Sequence, residues 1–171
     1  MIEAIYNLLR FIILVVLQVV LLDNIELNYF INPYLYILFI LMLPLRLSPA
    51  LFMLIAFATG MLVGAFNNTA GLHAAACTFV GFIRPTVLKL VSPREGYDSD
   101  ATPTIRDLGL SWFMAYATIM VTAHHFVLLF LEVFSFNSFF TTLLRVLLST
   151  TFTMILILLS IFLFFKSAKK R

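Results

Sequence analysis

AFATGMLVGAFNNTAGLHAAACTFVGFIRP, residues 56–85, is the stretch whose reading decides the fold. It reads as two membrane-spanning helices joined by the tight polar turn Asn67-Asn68-Thr69. On the first, Ala56, Gly60 and Gly64 recur every four residues and form one groove. On the second, Gly71, Ala74, Thr78, Gly81 and Pro85 alternate steps of three and four, again one face. In lipid, small residues let helix backbones approach closely, and dispersion contacts then drive association. The remainder of the chain is dominated by Leu, Ile, Phe and Val. The hairpin is therefore expected to be the packing centre, with its small faces receiving other helices.

Composition supports a membrane setting. The 171 residues are 63% hydrophobic and 11% charged, with a mean hydropathy of +1.08. Soluble domains carry about 25% charged residues, so lipid is the main solvent and the chain forms a single integral membrane domain over 1–171. One cysteine, Cys77, excludes an internal disulfide and a multi-cysteine metal site. The net charge of +3 is small and the cations are scattered, which excludes a nucleic-acid surface. Arg10 and the apolar run after it imitate a signal peptide, but no small-residue cleavage site follows, so a retained helix is expected.

A span needs about 20 apolar residues. Six candidates follow in order: about 4–22, 34–45, 49–66, 69–91, 108–131 and 139–165. The expected fold is all-α, with six transmembrane helices. Gln18 should face protein, because an unpartnered amide in hydrocarbon is costly. The second candidate is short and framed by Pro33 and Pro44, so it either spans with help from its flanks or is re-entrant. Pro85 should kink or end the fourth helix early. The loop 92–107 is expected to be a cytoplasmic hinge between a front block, 4–91, and a back helix pair, 108–165. A basic tail, 166–171, follows as a topology anchor.

Lys and Arg mark cytoplasmic ends. With both termini inside, the inner ends collect Arg10, Arg46, Arg84, Lys89, Arg94, Arg106, Lys166, Lys169, Lys170 and Arg171, and the outer ends only Arg145. The outer loops carry Asp23, Glu26 and Glu132.

No phosphate loop, no HExxH and no complete nucleophile elbow is present, so neither a catalytic residue nor a cofactor is expected. Intramembrane ionisable residues are the candidates for function. Ser111, Ala115, Thr118, Thr122, His125 and Glu132 share one face of the fifth helix, expected to point into the bundle or towards a partner helix. His73, His124, His125, Glu132 and Arg145 are expected in one outer-leaflet layer. Three readings stand for it: a metal or proton-relay site from His73, His125 and Glu132, a Glu132–Arg145 ion pair with hydrogen-bonded histidines, or a contact surface for another membrane protein. Arg84 is read as snorkelling to the headgroups and Cys77 as a core residue. Trp112, Tyr116, Tyr34 and Tyr36 suit interfacial belts.

Several stretches together resemble one family. They are Leu17-Gln18, the run NPYLYILFILMLP at 32–44, Gly60 with Gly71-Leu72-His73-Ala74, and Ile83-Arg84-Pro85. To these add His124-His125 with Phe130-Leu131-Glu132, and Leu144-Arg145 with Leu148-Ser149-Thr150. In this order they resemble MreD, the integral membrane rod shape-determining family of bacteria, most closely the form carried by Bacteroidota. Gly64 stands where many members of the family have Asp, so no role of that carboxylate carries over. The resemblance implies a fold similar to the six-helix substrate-binding subunits of energy-coupling-factor transporters. It also implies a non-enzymatic scaffold of cell elongation and peptidoglycan synthesis in the bacterial inner membrane. The implied partners are MreC, with its single membrane helix, then RodA, a class B penicillin-binding protein and, indirectly, MreB. Under this reading the small faces at Gly60/Gly64 and Gly71/Gly81 pack inside the bundle or against the MreC helix. A small-molecule-binding or transporter subunit with an outer-leaflet pocket is the alternative.

Overall fold

The long helices begin where backbone chemistry favours a start. The computed structural model describes residues 2–24, 30–98, 101–135 and 138–164; Glu26 and the basic tail at 166–171 lie outside them. Pro49 opens α3 (Pro49–Phe66), where its missing N–H does no harm, and the Ser48 side chain accepts the Leu51 N–H. After Asn67 the chain reverses. Asn68 takes a left-handed φ of 55°, which asparagine tolerates, and the Thr69 N–H returns to the Gly64 carbonyl at 2.8 Å.

α4 (Ala70–Leu90) then runs five residues past Pro85 instead of ending there. It lies between α3 and α6, and packing on both sides sustains a helix more than local propensity does. α1 (Ile2–Val16) continues through a π-helical turn, Leu17–Leu21, and a 3-10 turn, Leu22–Asn24. Beyond the loop come the single turn α5 (Ile105–Leu108), then α6 (Leu110–Val133) and α7 (Phe139–Phe164). Among the described residues five helices are long and apolar enough to cross a membrane: Ile5–Asn24, Pro49–Phe66, Gly71–Leu90, Leu110–Val133 and Phe139–Leu163.

The small-residue faces of α3 and α4 meet each other. A Cβ on Gly60 would lie 2.5 Å from the His73 carbonyl oxygen and 2.7 Å from the Ala74 Cα, so the two backbones are in contact there. Ala56, Gly64 and Ala74 are buried, and a Cβ on Gly81 would lie 3.0–3.1 Å from Met53 of α3. Gly71 is different: it is exposed, and an added Cβ would touch nothing. Thr78 is half-buried beside it. The hairpin is a packing centre, but it consumes most of its own small surface.

In place of a second spanning helix stands a broken segment. Only Ile37–Leu41 is helical, here α2. Every residue from Leu35 to Leu43 is at most 7% exposed, and Tyr36, Ile37, Leu38, Ile40 and Leu41 are fully enclosed. Ten residues between two prolines are too few to span as a helix. Irregular backbone at membrane depth survives only inside protein, which is where this segment lies. Its start meets α7 through Ser149, and its end meets α4 through Arg84.

α4 packs on α3 and α6, and α6 on α7. Front block and back pair therefore share one core, and the loop 92–107 does not separate them as a hinge. Tyr97 straps it down, donating to the Leu88 carbonyl at 2.7 Å and accepting from Trp112 Nε1 at 3.3 Å. α1 is peripheral. Leu14, Val15, Gln18 and Leu22 are buried, while Ile5, Leu8, Ile12, Val16 and Val20 are exposed at helical spacing. An exposed apolar face of that extent belongs against lipid.

Candidate functional site

A broken segment leaves backbone donors and acceptors unpaired, and each must find a partner or cost free energy. Side chains from four helices supply them. Gln18, aimed inward from the π-helical turn of the first span, accepts the Leu35 N–H at 2.7 Å and the Tyr36 N–H at 3.4 Å. Its amide nitrogen donates to the Pro33 carbonyl at 3.0 Å and to Asp23 Oδ1 at 2.6 Å. Asp23 also accepts from Asn67 at 2.8 Å, which ties the end of the first span to the α3–α4 turn. From α7, Ser149 accepts the Asn32 N–H at 3.0 Å and Thr153 the Tyr34 N–H at 3.2 Å.

The far end of the segment is held by Arg84 of α4. Its Nη2 donates to the Leu43 carbonyl at 2.7 Å and the Pro44 carbonyl at 3.3 Å, and its Nε donates to Tyr116 Oη at 3.1 Å. Tyr116 in turn donates to the Leu41 carbonyl at 3.4 Å. The guanidinium sits 4.1 Å from the centre of the Phe52 ring and is 3% exposed. This corrects the snorkelling expectation: Arg84 points inward and caps the carbonyl end of α2. A cation favours that end of a helix, and the planar guanidinium joins the two carbonyls held by Nη2 to the Tyr116 hydroxyl held by Nε, a spread that a compact ammonium would not cover.

Tyr36 is the hub of the other half. Its hydroxyl lies 2.9 Å from His73 Nδ1, 2.6 Å from His124 Nε2 and 3.5 Å from Cys77 Sγ. One assignment satisfies all three contacts: both imidazole N–H groups donate to the oxygen, and the hydroxyl donates to sulfur. It leaves His124 Nδ1, which has no partner, as a bare acceptor. His125 is fixed separately. Its Nδ1–H donates to the Val121 carbonyl at 2.8 Å, so Nε2 accepts from the Thr153 hydroxyl at 3.2 Å. The Tyr34 ring packs edgewise on His73 at 5.2 Å and on His124 at 5.9 Å, and tilted on His125 at 5.4 Å.

The three histidines therefore converge as the sequence suggests, and Glu132 and Arg145 are paired with each other at 3.3 Å. The metal reading of His73, His125 and Glu132 finds no common point. The Tyr36 oxygen fills the space between His73 and His124, and both nitrogens of His125 are engaged. Among the described residues no group of three His, Cys, Asp or Glu is placed to hold a metal ion. The proton-relay reading meets the same geometry, since the hydrogen-bonded chain stops at His124 Nδ1.

Two further expectations change. Tyr36 and Tyr116 are fully enclosed and Trp112 is buried, so they belong to the core and not to an interfacial belt. Trp112 stacks on Tyr116 at 5.0 Å. Tyr97, outside the long helices, has a hydroxyl pKa raised above its ordinary value by burial, with the bond from Trp112 acting the other way. Of the two directions expected for the polar stripe on α6, into the bundle or towards a partner helix, most of it does not take the first. Ser111, Ala115 and Thr118 are exposed, and only His125 of the stripe is buried. Sequence reasoning named Asp23, Asn67 and Ser149 for other reasons and Thr153 not at all, and it foresaw a bracing role for none of them. Only the two prolines around an all-apolar run hinted that bracing partners were needed.

Tyr36→Phe should remove the shared oxygen from His73 and His124 while keeping the ring. The expected loss is about 1–3 kcal/mol of stability, read by thermal unfolding in detergent. A loss near zero would mean that the histidines do not depend on the hydroxyl. Compared with family models, curated proteins and solved structures, the chain finds no match.

Proposed function

We propose that this protein is a non-catalytic membrane scaffold of the MreD type, serving peptidoglycan synthesis during cell elongation in the bacterial inner membrane. The ordered motifs at 17–18, 32–44, 71–74, 83–85, 124–132 and 144–150 support the family reading. The observation that carries the scaffold reading is how the interior polar groups are used. Gln18, Arg84, Tyr116, Ser149 and Thr153 are spent on the backbone of the broken segment, and His73 and His124 on Tyr36. A ligand-binding or transport role would need those groups to face a substrate.

The broken segment serves as a sixth passage through the membrane. It runs from the level of Ser149 and His73 to that of Arg84 and Lys89, which leaves both termini on the cytoplasmic side, as the Lys and Arg distribution favours. The face offered to a partner is not the Gly60/Gly64 groove, which α4 occupies. It is the stripe Ser111, Ala115 and Thr118 on α6, small and polar yet exposed. In lipid such a face suits close packing against one partner helix, here the single helix of MreC.

Ala115→Leu and Thr118→Leu should each reduce recovery of MreC on co-purification by about five- to thirtyfold, the effect of about 1–2 kcal/mol. The amount of protein in the membrane should not change. Gly71→Leu, on the open face of α4, should leave recovery intact. Undiminished recovery with both α6 variants would remove that face from the proposal.

A further inference from the structure

Where the broken segment leaves the bundle it parts from α4. Arg84 holds the carbonyls of Leu43 and Pro44. Beyond them a cleft of about 580 Å3 opens between Leu45–Arg46 and the last turns of α4. Its floor is apolar, made by Leu45, Pro85 and Leu88. A cation stands on each wall, Arg46 on the segment and Lys89 on α4, both exposed. Tyr97 and Asp98 of the loop complete the rim. α4 and its apolar span end here at Leu90, which places the cleft where that helix leaves the hydrocarbon layer.

We propose that this cleft seats the headgroup of an anionic phospholipid, with its phosphate between Arg46 and Lys89 and the start of an acyl chain along Leu45, Pro85 and Leu88. Among the described lining residues two cations, Arg46 and Lys89, stand with one carboxylate, Asp98, an excess of positive groups that suits a single phosphodiester. A nucleotide, carrying several negative charges, would meet Asp98 without enough cations to balance it. Free phosphate would leave the apolar floor wet. Basic groups near a membrane surface draw anionic lipid; the cleft adds a shaped seat to that attraction. The inference rests on the membrane reading alone and not on the scaffold reading, so either can fail without the other.

Trp112 is the one tryptophan of the chain, and its bond to Tyr97 makes it a reporter of the rim. Delipidated full-length protein in detergent would be titrated with short-chain phosphatidylglycerol, with phosphatidylcholine of the same chain length, and with inorganic phosphate. Phosphatidylglycerol should change Trp112 emission saturably, phosphatidylcholine more weakly, and phosphate not at all. Lys89→Gln and Arg46→Gln should each weaken phosphatidylglycerol about fivefold. Arg94→Gln, exposed in the same loop but outside the cleft, should not. Equal binding of the two lipids, or an equal effect of Arg94→Gln, would reduce the site to diffuse surface charge and overturn the proposal. Competition by phosphate would overturn the lipid assignment in favour of a free anion. If emission stays silent, mass spectrometry of lipid retained through purification decides. Retention of phosphatidylglycerol that is lost in the double variant of Arg46 and Lys89 supports the site, and no retention overturns it.

Discussion

Gly60→Ala is expected to lower the stability of the purified protein by about 1–3 kcal/mol, and Gly60→Leu to prevent folded protein from accumulating. The reason is distance. Even one methyl carbon at Gly60 would meet the His73 carbonyl oxygen at 2.5 Å and the Ala74 Cα at 2.7 Å. Both are backbone atoms of α4, so no side chain can swing away to make room. The two helices must separate, and the His73 contact with Tyr36 would shift with them. Gly71→Ala is the matched control, because its Cβ would touch nothing. Thermal unfolding in detergent and monodispersity on size exclusion report the result. Equal behaviour of the two variants would refute close backbone contact at Gly60.

The second large effect is expected from Gln18→Leu, which keeps the volume of the side chain and removes its polar end. It would strip the Leu35 and Tyr36 N–H groups and the Pro33 carbonyl of their partner, and would leave Asp23 bonded to Asn67 alone. Each buried group left unsatisfied costs about 1–3 kcal/mol, so a total of at least about 3 kcal/mol is expected. Irregular backbone inside a membrane protein has no water to fall back on. The loss should appear as a lower unfolding temperature and as new protease cleavage within residues 31–46. A cost below about 1 kcal/mol would mean that apolar burial alone holds the segment in place.

Much of the fold was legible because lipid imposes strict rules on the chain. Runs of apolar residues located the five long helices, with α3 at 49–66 and α7 starting at Phe139 as expected. Periodic glycines marked the faces of α3 and α4 that pack closely, but those faces meet each other and not the other helices expected there. Gln18 was marked by the cost of an amide in hydrocarbon, and the three histidines were placed together by helix order alone. The misreadings have one cause. Hydrophobicity does not sort faces inside a bilayer, since lipid tails are as apolar as leucine. On α6 the large rings of Trp112, Phe113 and Tyr116 therefore turned inward, and the small stripe of Ser111, Ala115 and Thr118 turned outward. For the same reason Arg84 and Tyr116, read as boundary residues, are interior supports.

By itself the sequence indicated long apolar helices able to cross a membrane, small-residue faces on α3 and α4 that permit close packing, and a short run framed by Pro33 and Pro44 that either spans or is re-entrant. Those outcomes follow from span length, absent side chains and proline, which act locally. Tertiary structure alone decided that the short run is enclosed, and that Gln18, Arg84, Ser149 and Thr153 supply its missing hydrogen bonds. It also decided that a tyrosine hydroxyl joins His73 to His124. Residues up to 119 positions apart make those bonds, and no local pattern records which distant donor an unpaired carbonyl or amide will find.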